Sequence, residues 1–143
     1  MARALVDTTV LFAAAYVPDA YHERALPILT GIDDATLPEA VVLDYVLAET
    51  LNGLKRKSTH DRAVDFLDRI ESNSRIHVER VPDETFARAK ALFRNRSALS
   101  LVDATIAAYA HKNGVRYLYA FDDDFDEIDS ITRLETPHNP YGP

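Results

Sequence analysis

Leu5-Val6-Asp7-Thr8-Thr9-Val10-Leu11 carries the chain from a short apolar run, through a carboxylate and two hydroxyls, back into apolar residues. Residues 2–7 suit a buried strand, and Thr8 and Thr9 are hydroxyl residues that can cap a helix read from Val10 to Tyr16. The same passage from strand text to helix text recurs along the chain. Helical spacing resumes from His22 to Leu29 after Pro18-Asp19, and Leu37 to Leu43 reads as a second strand. Asp44 is placed to cap a helix over Tyr45 to Lys57, whose basic end complements the helix dipole. His60 to Ser72 sets Ala63, Phe66, Leu67 and Ile70 at helical intervals, and Ile76 to Val81 alternates as a strand does.

A helix begins after Pro82-Asp83 and runs to about Arg94. Ser100 caps the next, which lasts to Asn113 and stops at Gly114. Arg116 to Phe121 reads as a fourth strand, the acids from Asp122 to Asp129 as a turn or short helix, and Ile131 to Glu135 as an edge strand. Strands alternating with helices predict an α/β fold of three layers, with a mainly parallel central sheet of four or five strands covered on both faces. Residues 1–135 form the expected domain, and 136–143 an irregular tail.

The chain has 143 residues with 47% hydrophobic content, enough apolar surface for one core. Cysteine is absent, which excludes disulfides and thiolate metal sites and leaves oxygen or imidazole ligands. The five histidines lack zinc-site spacing, and no P-loop, dinucleotide fingerprint or Gly-x-Ser-x-Gly occurs. The N-terminal residues reach Asp7 too early for a signal-peptide apolar region, and no apolar run approaches a membrane span, so a cytoplasmic protein is expected. A formal charge of −7 rules against nucleic-acid binding by the whole surface and confines it to local patches such as Lys55-Arg56-Lys57 or Arg88, Lys90, Arg94 and Arg96.

Four acids stand at the ends of apolar runs or inside them. Asp7 closes Ala4-Leu5-Val6, Asp122 closes Tyr117 to Phe121, Glu49 follows Tyr45-Val46-Leu47-Ala48, and Asp103 interrupts Leu101 to Ile106. Asp7 and Asp122 would lie at strand C-termini and Glu49 and Asp103 early in the helices that follow, all on the side where open α/β sheets bind ligands. Each has an ordinary reading: Asp7 as a helix cap, Asp103 as a favourable charge at a helix start, Glu49 as a half-exposed helix residue. Asp103, however, shares a helix face with Ile106, Ala107 and Ala110, and four carboxylates at one sheet edge call for a compensating cation.

Leu5 to Leu11, Val46-Leu47-Ala48-Glu49-Thr50-Leu51, Leu99 to Ala108 and Ala120-Phe121-Asp122-Asp123-Asp124-Phe125 resemble, in order and spacing, the PIN domain and within it the VapC-type toxin ribonucleases. The resemblance implies a PIN-like fold with Asp7, Glu49, Asp103 and Asp122 as the acidic site residues. Of these, Asp7, Asp103 and Asp122 would be metal ligands, and Asp124 fills a commonly acidic supporting position. Ala120 departs from the hydroxyl residue many members carry. Mg²⁺, or Mn²⁺, suits carboxylate oxygens and retains reactive waters.

The expected activity is endoribonuclease cleavage, with metal-activated water attacking an RNA phosphodiester in line and Glu49 orienting water or holding a second metal. Thr8 or Thr9 could instead bond a ligand or phosphate. A homodimer and a cognate antitoxin are implied partners besides RNA. A catalytically weak PIN-like module that binds RNA or protein is the alternative, separable by metal-dependent cleavage. A receiver-like signalling domain would instead accept a phosphoryl group on one Asp.

Overall fold

The structure, a computed structural model, describes residues 2–142. Its elements follow in the order β1 (Arg3–Val6), α1 (Thr8–Ala15), α2 (His22–Asp33), β2 (Glu39–Leu43), α3 (Asp44–Lys57), α4 (His60–Ser72) and β3 (Ile76–Glu79). After them come α5 (Asp83–Asn95), α6 (Leu101–Asn113), β4 (Tyr117–Tyr119), a 3₁₀ turn (Asp123–Glu127) and β5 (Thr132–Leu134). The five strands form one sheet in the order β3-β2-β1-β4-β5. Every pairing is parallel, with Leu5 opposite Val41 on one side and Leu118 on the other.

Strand β1 is central because it can be buried on both faces. Ala4, Leu5 and Val6 are at most 1% exposed, as a parallel strand under two helical layers requires. The chain steps from β1 to β2 to β3 in one direction, then returns to place β4 on the other side of β1. Right-handed crossovers therefore put α1 to α4 over one face and α5 and α6 over the other. The reversal between β1 and β4 opens the sheet at the strands' carboxyl ends, where α/β folds bind ligands.

Local chemistry sets the helix limits. Ser100 and Asp103 form a reciprocal capping box that starts α6, and Gly114, at φ 64°, ends it in the left-handed conformation that glycine adopts without strain. Two expected caps are corrected. Thr8 and Thr9 do not cap α1: Asp7, with extended backbone, does so by accepting the Thr9 N–H, and the helix begins at Thr8 instead of Val10. Asp44 does not cap α3, because Leu43, the last residue of β2, occupies that position; the Asp44 carboxylate accepts from the N–H groups of Tyr45 (3.0 Å) and Val81 (3.2 Å), tying α3 to the loop after β3.

Residues after β5 are irregular yet pinned. The buried Tyr119 hydroxyl donates to the His138 carbonyl (2.7 Å), Tyr141 donates to the Arg3 carbonyl (2.9 Å), and Asn139 donates to the Thr36 carbonyl (3.1 Å). Among the described residues, no helix is long and apolar enough to cross a membrane.

Candidate metal centre

Asp7 emerges directly from β1, and its backbone N–H still bonds to the Tyr119 carbonyl of β4 (3.0 Å). Its side chain is 2% exposed. One carboxylate oxygen, Oδ2, accepts from the Thr9 hydroxyl (2.7 Å) and the Thr9 N–H (3.3 Å). The Thr9 hydroxyl oxygen in turn accepts from the Phe121 N–H (3.1 Å), which fastens the start of α1 to the segment after β4. A single threonine thus sets the distance between the Asp7 and Asp122 backbones.

Asp103 is held in the first turn of α6, with Oδ2 accepting from the Ser100 N–H (3.3 Å) and its own N–H donating to Ser100 Oγ (3.1 Å). Asp122 precedes the 3₁₀ turn and caps it, accepting the Asp124 N–H on Oδ1 (2.9 Å). That Asx-type turn folds Asp124 back toward Asp103. Asp103, Asp122 and Asp124 each offer an oxygen, and the three lie within 4.8 Å of one another.

The ordinary capping roles of Asp7, Asp103 and Asp122 are therefore real, and they do not compete with a site. Each cap engages one oxygen of a carboxylate that has two, so capping orients the group for a ligand. Asp7 and Glu49 stand outside the group of three. Glu49 is exposed on α3, close enough for its charge to act on Asp103.

Burial and mutual repulsion dominate the electrostatics of these acids. Burial pushes the Asp7 carboxyl up to about 7, opposed by the Thr9 hydroxyl and reinforced by the charge of Asp103. Burial likewise pushes Asp103 up to about 6; Ser100 opposes this, and the charges of Asp122 and Glu49 add to it. The Asp122 charge raises Asp124. No ion pair among the described residues involves any of these five acids. Carboxylates gathered without a cation are poorly compensated, and an all-oxygen donor set of this kind fits a hard divalent ion.

Thr8 adds a further polar atom, since its Oγ1 is buried and unpartnered among the described residues. Lys55, Arg56 and Lys57 close α3 at the end away from Asp44, and over 14 residues that helix extends about 21 Å. This basic run therefore points away from the acidic centre. Sequence reasoning placed Asp124 in support, whereas the structure sets it within the group of three; the signal for this was the Asp-x-Asp spacing that an Asx turn requires.

Fold and site together define a three-layer α/β/α domain with an acidic centre at the switch point of a wholly parallel sheet. The chain belongs to the PIN domain family, whose model matches residues 4–131. Among solved structures it is similar to VapC20 of Mycobacterium tuberculosis, a sarcin-ricin loop cleaving toxin. That likeness has 27% identity and a TM-score of 0.77 over 95% of this chain and 98% of that one. It is also similar in fold to a toxin-antitoxin complex from Klebsiella pneumoniae (22% identity, TM-score 0.61, 95% and 98% covered). VapBC2 of Rickettsia felis, bound to a DNA fragment from its promoter, shares the fold at 15% identity (TM-score 0.67, 92% and 97% covered). No curated protein matches the chain by sequence.

Proposed function

We propose that this protein is a metal-dependent endoribonuclease and the toxin of a type II toxin-antitoxin pair. The observation that carries the reading is the convergence of Asp103, Asp122 and Asp124 within 4.8 Å, beside a buried Asp7 and with no cationic side chain paired to them. The similarity to the RNA-cleaving VapC20 across almost the whole chain supports RNA as the substrate.

Asp103, Asp122 and Asp124 would hold Mg²⁺ or Mn²⁺, with Asp7, buried beside Asp103, as a further ligand. Bound there, a divalent ion supplies charge stabilisation at the phosphate and lowers the pKa of water for attack. The protein's own residues do the positioning. Thr9 fixes the Asp7 rotamer and the β1 to β4 spacing, and Ser100 fixes Asp103. Glu49, exposed on α3 with its charge acting on Asp103, would orient a water or accept its proton.

The toxin-antitoxin and VapBC structures that share the fold support an antitoxin partner. A groove of about 670 Å³ between α1, α2 and α4, lined by Leu26, Leu29, Phe66 and Ile70 together with Asp33, Arg62, Asp65 and Arg69, offers mixed apolar and charged surface for such a protein. A homodimer is proposed as well, to be checked by light scattering of the purified chain. The function is tested by inducing the chain in cells and mapping new RNA 5′ ends. Discrete new ends with the wild type and none with Asp7→Asn are expected. Wild-type induction that produces no new ends, or ends that persist in Asp7→Asn, would refute the reading.

A further inference from the structure

Two aromatic stacks flank the acidic centre along the carboxyl edge of the sheet. On one side Tyr21, at the start of α2, stacks on Phe121 with ring centroids 4.8 Å apart and planes 16° apart. The Arg24 guanidinium lies over both rings, 5.3 Å and 5.0 Å from their centroids. On the other side Tyr45, in the first turn of α3, stacks on Phe86 of α5 at 5.2 Å and 9°, with the Lys90 ammonium 5.3 Å from the Phe86 centroid. In each pair the phenylalanine is half-buried and the tyrosine open, 42% exposed for Tyr21 and 40% for Tyr45.

Strand order puts the centre between them. Phe121 follows β4 and immediately precedes Asp122, whereas Tyr45 follows β2 and stands one helical turn before Glu49. β1 and Asp7 lie between β2 and β4. Those two strands are two spacings apart, roughly 10 Å. Both stacks end outward in a tyrosine and carry a cation, Lys90 on one side and on the other Arg24, which also pairs with Glu135 at 3.8 Å, in a chain whose net charge is −7. Core packing accounts for the phenylalanines, and each tyrosine keeps about two-fifths of its surface exposed on the side of the acidic centre. Exposed aromatic faces with neighbouring cations are how proteins hold unpaired bases, and a fully paired strand has no base faces to offer them.

We propose that Tyr21 and Tyr45 are base-stacking platforms that hold one nucleobase on each side of the cleaved phosphate. This rests on the nuclease reading for its geometry and is separable from it by experiment. Arg24 and Lys90 assist by contacting the flanking phosphates or base faces.

The test uses the full chain, a single-stranded RNA oligonucleotide carrying 2-aminopurine, and the same sequence in a duplex. Ca²⁺ replaces Mg²⁺, so that binding is read without turnover. Tyr21→Leu and Tyr45→Leu keep an apolar side chain and remove the planar face; each should weaken single-strand binding roughly ten-fold and diminish fluorescence quenching. Tyr21→Phe and Tyr45→Phe should retain both, and the duplex should bind weakly to every variant. Leucine variants that bind and quench as the wild type does, or phenylalanine variants that lose as much as leucine, overturn the proposal. So does wild-type protein that neither binds nor quenches the single strand. Cleavage with Mg²⁺ or Mn²⁺ separates the two readings. A protein that quenches through its tyrosines and never cleaves loses the nuclease reading and keeps the platforms, whereas one that cleaves with an unchanged KM in the leucine variants loses the platforms alone.

Discussion

Replacing Asp7 by Asn should stabilise the metal-free protein. The Asp7 carboxyl is raised from 3.8 to about 7 chiefly by burial. Below about pH 4 both folded and unfolded chains carry the proton and the residue contributes nothing to pH dependence. Between about pH 4 and 7 the unfolded chain ionises first, so stability falls as pH rises, and above about 7 the loss is complete. Three pKa units at about 1.4 kcal/mol each give a charging cost on the order of 4 kcal/mol at pH 8. Asparagine keeps an acceptor for the Thr9 hydroxyl and removes the charge, but its amide group brings donors that need partners. A net gain of about 2–3 kcal/mol is expected, or roughly 5–10 °C in melting temperature for a domain of this size. The assay is thermal unfolding in chelator from pH 5 to 8, comparing wild type with Asp7→Asn. The difference should shrink toward zero at pH 5, and adding Mg²⁺ should raise the wild-type midpoint alone. An Asp7→Asn protein less stable than wild type at pH 8, or a difference independent of pH, would refute the claim that Asp7 carries an uncompensated buried charge.

Thr9→Val removes the hydroxyl that bridges Asp7 Oδ2 and the Phe121 N–H, and should cost about 1–3 kcal/mol by urea denaturation with an unchanged slope. Its cleavage activity should fall further than its stability, because the Asp7 to Asp122 spacing is lost with the bridge. Gly114→Ala meets no atom within 4 Å but keeps φ at +64°, so the penalty is purely one of backbone conformation. A loss of about 1–2 kcal/mol in the same assay, with RNA cleavage unaltered, is the expected result.

The sequence carried much of this fold where local chemistry alone decides an element. The helix over His60 to Ser72 and the Ser100 and Gly114 limits of α6 were readable because capping and apolar periodicity act within a few residues. The start of α1 was not, since Asp7 could serve as strand end, cap or site residue, and only its bonds to Tyr119 and Thr9 show that it is both strand end and cap. Asp44 misled for a related reason. Its carboxylate finds Val81, a partner 37 residues away, and no local pattern announces that contact. For the site, the sequence placed the acids at one edge of the sheet. The Asp-x-Asp spacing allowed the turn after Asp122, but that this turn carries Asp124 to Asp103 follows from how β4 packs beside the start of α6 and was not legible locally. The aromatic stacks were equally out of reach, joining residues as distant as Tyr21 and Phe121.

The central claim is that this acidic centre holds a divalent cation that acts in RNA cleavage. The rate at which purified, partner-free protein cleaves a single-stranded RNA, followed against Mn²⁺ concentration for wild type and Asp103→Asn, tests it most directly. The account predicts no cleavage in chelator, a saturable rise with Mn²⁺ for the wild type, and a flat background for Asp103→Asn. Cleavage that persists in chelator, or an Asp103→Asn curve that overlays the wild type, would contradict it.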